Sequence, residues 1–247
     1  MSNERLAISA AELDDLDTSQ LFRFVERRAG TLLALHTREE VAVRLGLLSK
    51  ISPRLVPSTA GLYLFGLLPQ AFFPEWGVVA VHLRGTDLTA PVIEQHNLDG
   101  ALPALLSQCV EFVAARNLTN GLAEYDALKV REALVNALVH RELRKPSRVA
   151  LRLFSDRLEI WSPGGPPEGF SDVDEVAKEG GISHPRNPII AATARVLGMG
   201  EQIGRGLPLM AREAEGDARV EFHASPRDFT VTLPARWQRG RTTEQLS

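Results

Sequence analysis

The chain has 247 residues, of which 44% are hydrophobic and 24% charged, enough for one large or two small folded domains with a true core. A net charge of −3 and a pI near 6.1 argue against a strongly basic protein that coats nucleic acid, while leaving room for a local basic patch. One cysteine, Cys109, permits no intramolecular disulfide and fits a reducing cytosol. The scattered histidines (His36, His82, His96, His140, His184, His223) show no paired metal-ligand spacing, and no apolar run reaches the roughly 18 residues of a membrane span.

In chain order, residues 1–10 carry no strong pattern and read as frayed, and the polar, acidic start is no signal peptide. Asp17 or Thr18 caps a helix to about residue 28, with Leu21, Phe22, Phe24 and Val25 as its apolar side. Thr37 followed by Glu40 resembles a capping box and opens a second helix to about residue 48. Residues 61–68 (GLYLFGLL) and 77–83 (GVVAVHL) read as buried strands that could pair, with turns at Pro69 and Pro74. A helix then starts at Asn97 or Asp99 and runs to about residue 116, with Leu102, Leu105, Val110 and Val113 on its core side and Cys109 on an apolar face. Residues 118–121 punctuate the chain, and a domain boundary is expected near residue 120.

The second half is organised around residues 131–143 (REALVNALVHREL), in a helix expected to start near residue 124 and to end by Pro146. Glu132, Asn136 and His140 lie four residues apart, so they stack on one helical stripe, while Ala133, Leu134, Ala137 and Leu138 occupy the faces that can enter a core. A stripe bearing an acid, an amide and an imidazole is either a site or a solvated polar face. Arg141, Arg144, Lys145 and Arg148 follow, and a solvated helix end is the expected reading of that cluster, with phosphate contact as the alternative. Residues 147–154 (SRVALRLF) and 157–161 (RLEIW) form a hairpin about Ser155 and Asp156. The stretch 162–169 (SPGGPPEG) is a turn-rich loop, and 170–186 is expected to be mobile. Pro188 opens a helix at 187–197. The glycine-rich 198–206 (GMGEQIGRG) leads into a helix of about 207–215, and 219–224 with 228–234 form a last hairpin before a polar tail, 237–247, expected to be disordered.

Glycine-rich turns let backbone N–H groups approach phosphate oxygens, and a helix N-terminus adds a favourable field for anions. The order of polar-striped helix, SPGG and GRG resembles the ATPase-like (Bergerat) domain of the GHKL superfamily, which includes gyrase, heat-shock chaperones, sensor histidine kinases and MutL proteins. REALVNALVHREL, RLEIWSPGGPPEG, RNPIIA and GRGLPLM carry the resemblance, with STAGLYLFGLLPQAFFP upstream. The branch is the one labelled RecG C-terminal-like or ATP-binding transcriptional regulator, here expected without its Schlafen AlbA-like domain and winged helix. No Walker A motif stands in the chain, so the helicase label itself carries no weight.

The resemblance implies an α+β fold: a two-layer α/β sandwich with a mixed, mostly antiparallel sheet and helices on one face over residues 121–236, preceded by a smaller α+β domain over 1–120. It implies ATP and Mg²⁺ as cofactors. Glu132 matches the acid that orients or deprotonates the attacking water, Asn136 the metal-ligating amide, and His140 the polar residue one turn on. Gly164 and Gly165 match the first glycine box under the adenine, and Gly204, Arg205 and Gly206 the second box around the phosphates. Residues 166–186 match the lid, with Arg186 and Asn187 at its far hinge. Ser162 is a departure, standing where the family has Asp, or Asn in this branch. Charge-assisted hydrogen bonds contribute about 1.5–3 kcal/mol and neutral ones about 1, and a loss near 1 kcal/mol weakens binding roughly five-fold. Adenine selectivity is therefore affected more than phosphate binding.

Three functions are compatible with these signals. One is a cytoplasmic ATP–Mg²⁺-binding regulator of transcription or nucleic-acid metabolism, a homodimer with slow or no hydrolysis. Another is a nucleic-acid-binding regulator with a vestigial nucleotide site. The last is a dimeric scaffold that pairs through its first half.

Overall fold

The computed structural model describes residues 3–119, 122–166, 185–200, 206–211 and 219–236. Most of the expected mobile stretch, the tail and the end of the last expected helix therefore lie outside the described residues.

Helix α1 (Thr18–Ala29) is capped by Asp17, whose carboxylate accepts from Gln20 N at 2.9 Å, and it buries Leu21, Phe24 and Val25. Helix α2 (Arg38–Leu45) opens on the expected Thr37–Glu40 capping box. It stops earlier than expected, at Gly46 with φ +80°, and the chain turns into the hairpin β1 (Leu48–Ile51) and β2 (Arg54–Pro57). The stretch expected as a first buried strand is instead helix α3 (Thr59–Phe65), capped by Ser58. All seven of its residues are buried. A helix buried on every side shows no polar face, so its pattern is indistinguishable from that of an interior strand. The expected pairing of residues 61–68 with 77–83 is absent for that reason.

Strand β3 (Val78–Leu83) pairs with β4 (Val92–Leu98), which includes Asn97, where a helix start was expected. The helix α4 (Leu102–Ala114) begins later and buries Leu102, Leu105, Cys109 and Val113. Burial pushes the Cys109 thiol up to about 12. A short pair, β5 (Leu118–Thr119) and β6 (Leu122–Ala123), leads to α5 (Ala127–His140), then β7 (Val149–Leu153) and β8 (Arg157–Pro163). Helices α6 (Pro188–Val196) and α7 (Gly206–Ala211) and the hairpin β9 (Glu221–Ala224) and β10 (Asp228–Pro234) complete the described chain.

The fold is α+β. Six strands form one mixed sheet in the order β4-β3-β7-β8-β10-β9, antiparallel except where β3 runs parallel to β7. Helix α4 lies against β3 and β4, and α5 against β8 and β10. The expected boundary near residue 120 falls between α4 and α5, which pack on one another, and the sheet takes strands from both sides of it. One apolar core runs from Ala11 to Ala235.

Residues 3–10 are not frayed. Ile8 N donates to Pro57 O at 2.9 Å, and Thr59 N to Leu6 O at 2.8 Å. Glu4 is buried, its carboxylate accepting from Ile189 N at 3.1 Å and Ile190 N at 2.7 Å at the start of α6. A carboxylate there satisfies orphan donors and matches the sign of the helix dipole.

Candidate functional site

Helix α5 starts at Ala127 rather than near residue 124, because the Asp126 carboxylate caps it by accepting from Leu128 N at 2.8 Å and Lys129 N at 3.1 Å. It ends at His140, before Pro146 is reached, as Arg141 turns out of the helix with ψ 150°. Ala133, Leu134, Ala137 and Leu138 are buried as their spacing requires. Glu132, Asn136 and His140 are half-buried, so the stripe is not a solvated face. At its first position, α7 begins over Glu132: a Cβ on Gly206 would lie 2.1 Å from Glu132 Oε1. Only a residue without a side chain lets the backbone come this near the carboxylate. One turn on, the Nδ2 of Asn136 is buried and has no hydrogen-bond partner among the described residues. One more turn on, burial, reinforced by the Arg186 charge, lowers His140 to about 4, so its ring is neutral at physiological pH.

Beyond the end of α5, the chain segments on either side of residues 167–184 are tied together. Arg186 donates from Nη1 to Glu142 Oε2 at 2.9 Å and from Nη2 to the carbonyl of Gly165. Asn187 turns its amide back, donating from Nδ2 to Val139 O at 2.8 Å and Arg141 O at 2.9 Å, and so caps the end of α5. Gly164 has φ +103°, and a Cβ there would lie 2.8 Å from Glu142 Cβ. At Gly165 a Cβ would come 2.0 Å from Ser225 O, in the turn between β9 and β10. Both glycines are thus demanded by close backbone approach. Ser162 is buried on β8, its Oγ 3.5 Å from Phe229 O, a contact at the limit of a hydrogen bond.

The structure therefore brings Glu132 together with Gly206, and Gly164, Gly165, Arg186 and Glu142 with one another. Asn136 and His140 stand between these groups on α5. Gly204 and Arg205 lie outside the described residues. Sequence reasoning passed over Glu142, although it sits two residues beyond His140. The expected solvated basic cluster needs correction: Arg141 is fully buried, donating to Glu75 O at 2.6 Å and Ser147 O at 2.8 Å. Arg148 is bound to Asp99 Oδ1 at 2.8 Å, and Arg144 stands 68% exposed. Among the described residues no cluster of His, Cys, Asp or Glu could hold a metal ion by protein ligands alone, and no helix is long and apolar enough to cross a membrane.

Residues 147–233 match the family described as "Putative ATP-dependent DNA helicase recG C-terminal". The match begins after α5, so Glu132, Asn136 and His140 precede it. A comparison with curated proteins finds no match. Among solved structures, the DIP2311 protein from Corynebacterium diphtheriae is similar in fold, with a TM-score of 0.67 at 20% identity over 95% of this chain. This chain spans 40% of the length of that one. This match and this fold support a GHKL-like ATPase-type domain over residues 147–233, on whose sheet α5 packs.

Proposed function

We propose that the chain binds ATP with Mg²⁺ between the α5 stripe and the two glycine segments, and acts as a cytoplasmic regulator linked to transcription or nucleic-acid metabolism, with slow or no hydrolysis. The observation that carries this reading is the Nδ2 of Asn136: a buried donor without a partner among the described residues, one turn from a carboxylate that a glycine backbone approaches closely. Buried polar groups are nearly always paired, and an orphan inside a stripe of acid, amide and imidazole fits a group completed by a ligand. The ATPase-type family supports a nucleotide as that ligand.

The unpartnered Nδ2 of Asn136 is a donor and fits an acceptor such as a phosphate oxygen, while the oxygen of the same amide could serve a metal. An amide oxygen is a hard ligand of the kind Mg²⁺ accepts, and one protein ligand with substrate phosphates and waters is its usual environment. When bound, the ion supplies neutralisation of phosphate charge. Asn136 would hold it. The Glu132 carboxyl would orient a water and take its proton. Neutral His140 can donate one hydrogen bond without adding charge. The Ser162 hydroxyl, weakly engaged by Phe229 O, can turn to a base edge.

Isothermal titration with ATP, ADP and GTP, each with and without Mg²⁺, tests this. Selective, Mg²⁺-dependent binding of adenine nucleotides is expected. Absence of binding by any nucleotide to folded protein overturns the reading in favour of a vestigial site in a nucleic-acid-binding or scaffold regulator.

A further inference from the structure

The first turn of α5 sets a cation and an apolar side chain against their ordinary preferences. Leu128 is 60% exposed, whereas its neighbour Lys129 is only 8% exposed. Lysine is among the residues most rarely buried, because taking an ammonium out of water is costly. Solvent lies beside this turn, as Leu128 shows, so the depth of the helix does not force the lysine inward.

Helical geometry places Lys129 on the polar stripe. Asn136 and His140, seven and eleven positions on, project within about 20° of it, and Glu132, three positions on, within about 60°. Lys129 is thus in line with the buried Nδ2 of Asn136, the donor without a partner among the described residues that fits a phosphate oxygen. The other cation near the start of α5, Arg131, projects to a different side and donates to Gly198 O at 3.2 Å. At the far end of the stripe, Arg186 is engaged by Glu142. Asn136 carries no charge and the His140 ring is neutral, so Lys129 is the cation of the stripe.

The position of Lys129 bears on which end of a nucleotide it meets, and here the inference rests on the nucleotide reading above. In that reading Ser162 faces the base edge, and Glu132 serves the water that attacks the terminal phosphate. Lys129 stands one turn beyond Glu132, about 4.5 Å further along the helix axis and away from His140. The terminal phosphate carries the most negative charge of the chain of phosphates, and an ammonium withdrawn from water acts on it more strongly than one on the surface. We infer that Lys129 contacts the terminal phosphate of the bound nucleotide and makes the site prefer the triphosphate to the diphosphate.

Calorimetric titration of the full chain with ATP and with ADP, both in Mg²⁺, tests this. Wild type is expected to bind ATP at least about ten-fold more tightly than ADP, the effect of one charge-assisted contact to phosphate. Lys129→Met keeps the reach of the side chain and removes its charge. Its affinity for ATP is expected to fall by at least about ten-fold, while that for ADP changes by less than about two-fold. Equal affinities of wild type for the two nucleotides overturn the inference, even where the variant does not fold. So does a Lys129→Met that retains the preference, or one that loses both nucleotides alike, as a lysine serving only the fold would. Wild type that binds neither nucleotide instead removes the nucleotide reading itself, and the inference with it.

Discussion

The backbone of Gly206 and the carboxylate of Glu132 occupy adjoining space, with no room between them for even a methyl group. The first residue of α7 and the first acid of the α5 stripe are thereby fixed against each other, although 74 residues separate them in sequence. Gly206→Ala moves the flexible end of the glutamate rather than any backbone. Expected is a folded protein of near wild-type stability in which any ATP turnover falls about ten-fold, since a displacement of about 1 Å in a positioning group has large kinetic effects. Steady-state phosphate release, compared with urea unfolding, checks both halves.

Asn136→Ala is expected to abolish Mg²⁺-dependent nucleotide binding. Stability should be unchanged or slightly higher, because the amide nitrogen removed is buried without a partner among the described residues. Glu132→Ala is expected to keep binding and to remove hydrolysis. Calorimetric titration of both variants separates the roles. If Asn136→Ala binds ATP as wild type does, the assignment of the amide is wrong.

Arg186 bridges Glu142 and the carbonyl of Gly165 with its planar fork. Arg186→Ala leaves the largely buried Glu142 carboxylate with only the long 3.4 Å contacts of the exposed Arg144, and partly buried charge-assisted bonds of the kind lost contribute roughly 1–2 kcal/mol after solvent screening. Arg186→Lys is expected to recover little, because an ammonium on a flexible stem does not reproduce the two-acceptor geometry. Denaturant midpoints of the two variants test this.

Arg141 is a fully buried cation whose hydrogen-bond acceptors are backbone carbonyls of Glu75, Gly77 and Ser147. Arg141→Ala leaves these carbonyls unsatisfied and opens a cavity, and a loss on the order of 3 kcal/mol is expected. The loss should appear in unfolding by denaturant regardless of any added nucleotide concentration that leaves binding unsaturated.

Burial lowers His140 to about 4 from an ordinary value near 6.5. Between these values the unfolded chain binds the proton and the folded chain does not, so stability rises with pH through this window and is lost as pH falls from about 6.5 towards 4. His140→Gln is expected to flatten that part of the stability profile, measured by unfolding at a series of pH values. The low Glu94, held at about 2 chiefly by its hydrogen bond to Arg116, acts from about 4.5 downward, at the lower end of this window and below it, and remains in both proteins.

Much of the local structure was legible in the chain itself. The Thr37–Glu40 box, the Asp17 cap, the turn at Ser155 and Asp156, and Pro188 at a first helical turn are signals carried by near neighbours, and each element formed where they stand. The four-residue spacing put Glu132, Asn136 and His140 on one stripe because helical geometry leaves no alternative. Other features depended on distant contacts. Residues 59–65 are helical because they are enclosed on all sides, and an all-apolar run does not encode which period it adopts. Strand β4 is polar and exposed because it is an edge, so its sequence lacks the apolar run of an interior strand. The fate of two charged groups was decided only in three dimensions. Arg141 went inward, where three carbonyls meet it, and Glu4 found the start of α6, 185 residues away. Charge alone predicts exposure, and burial becomes stable only where the folded chain gathers partners from separate segments.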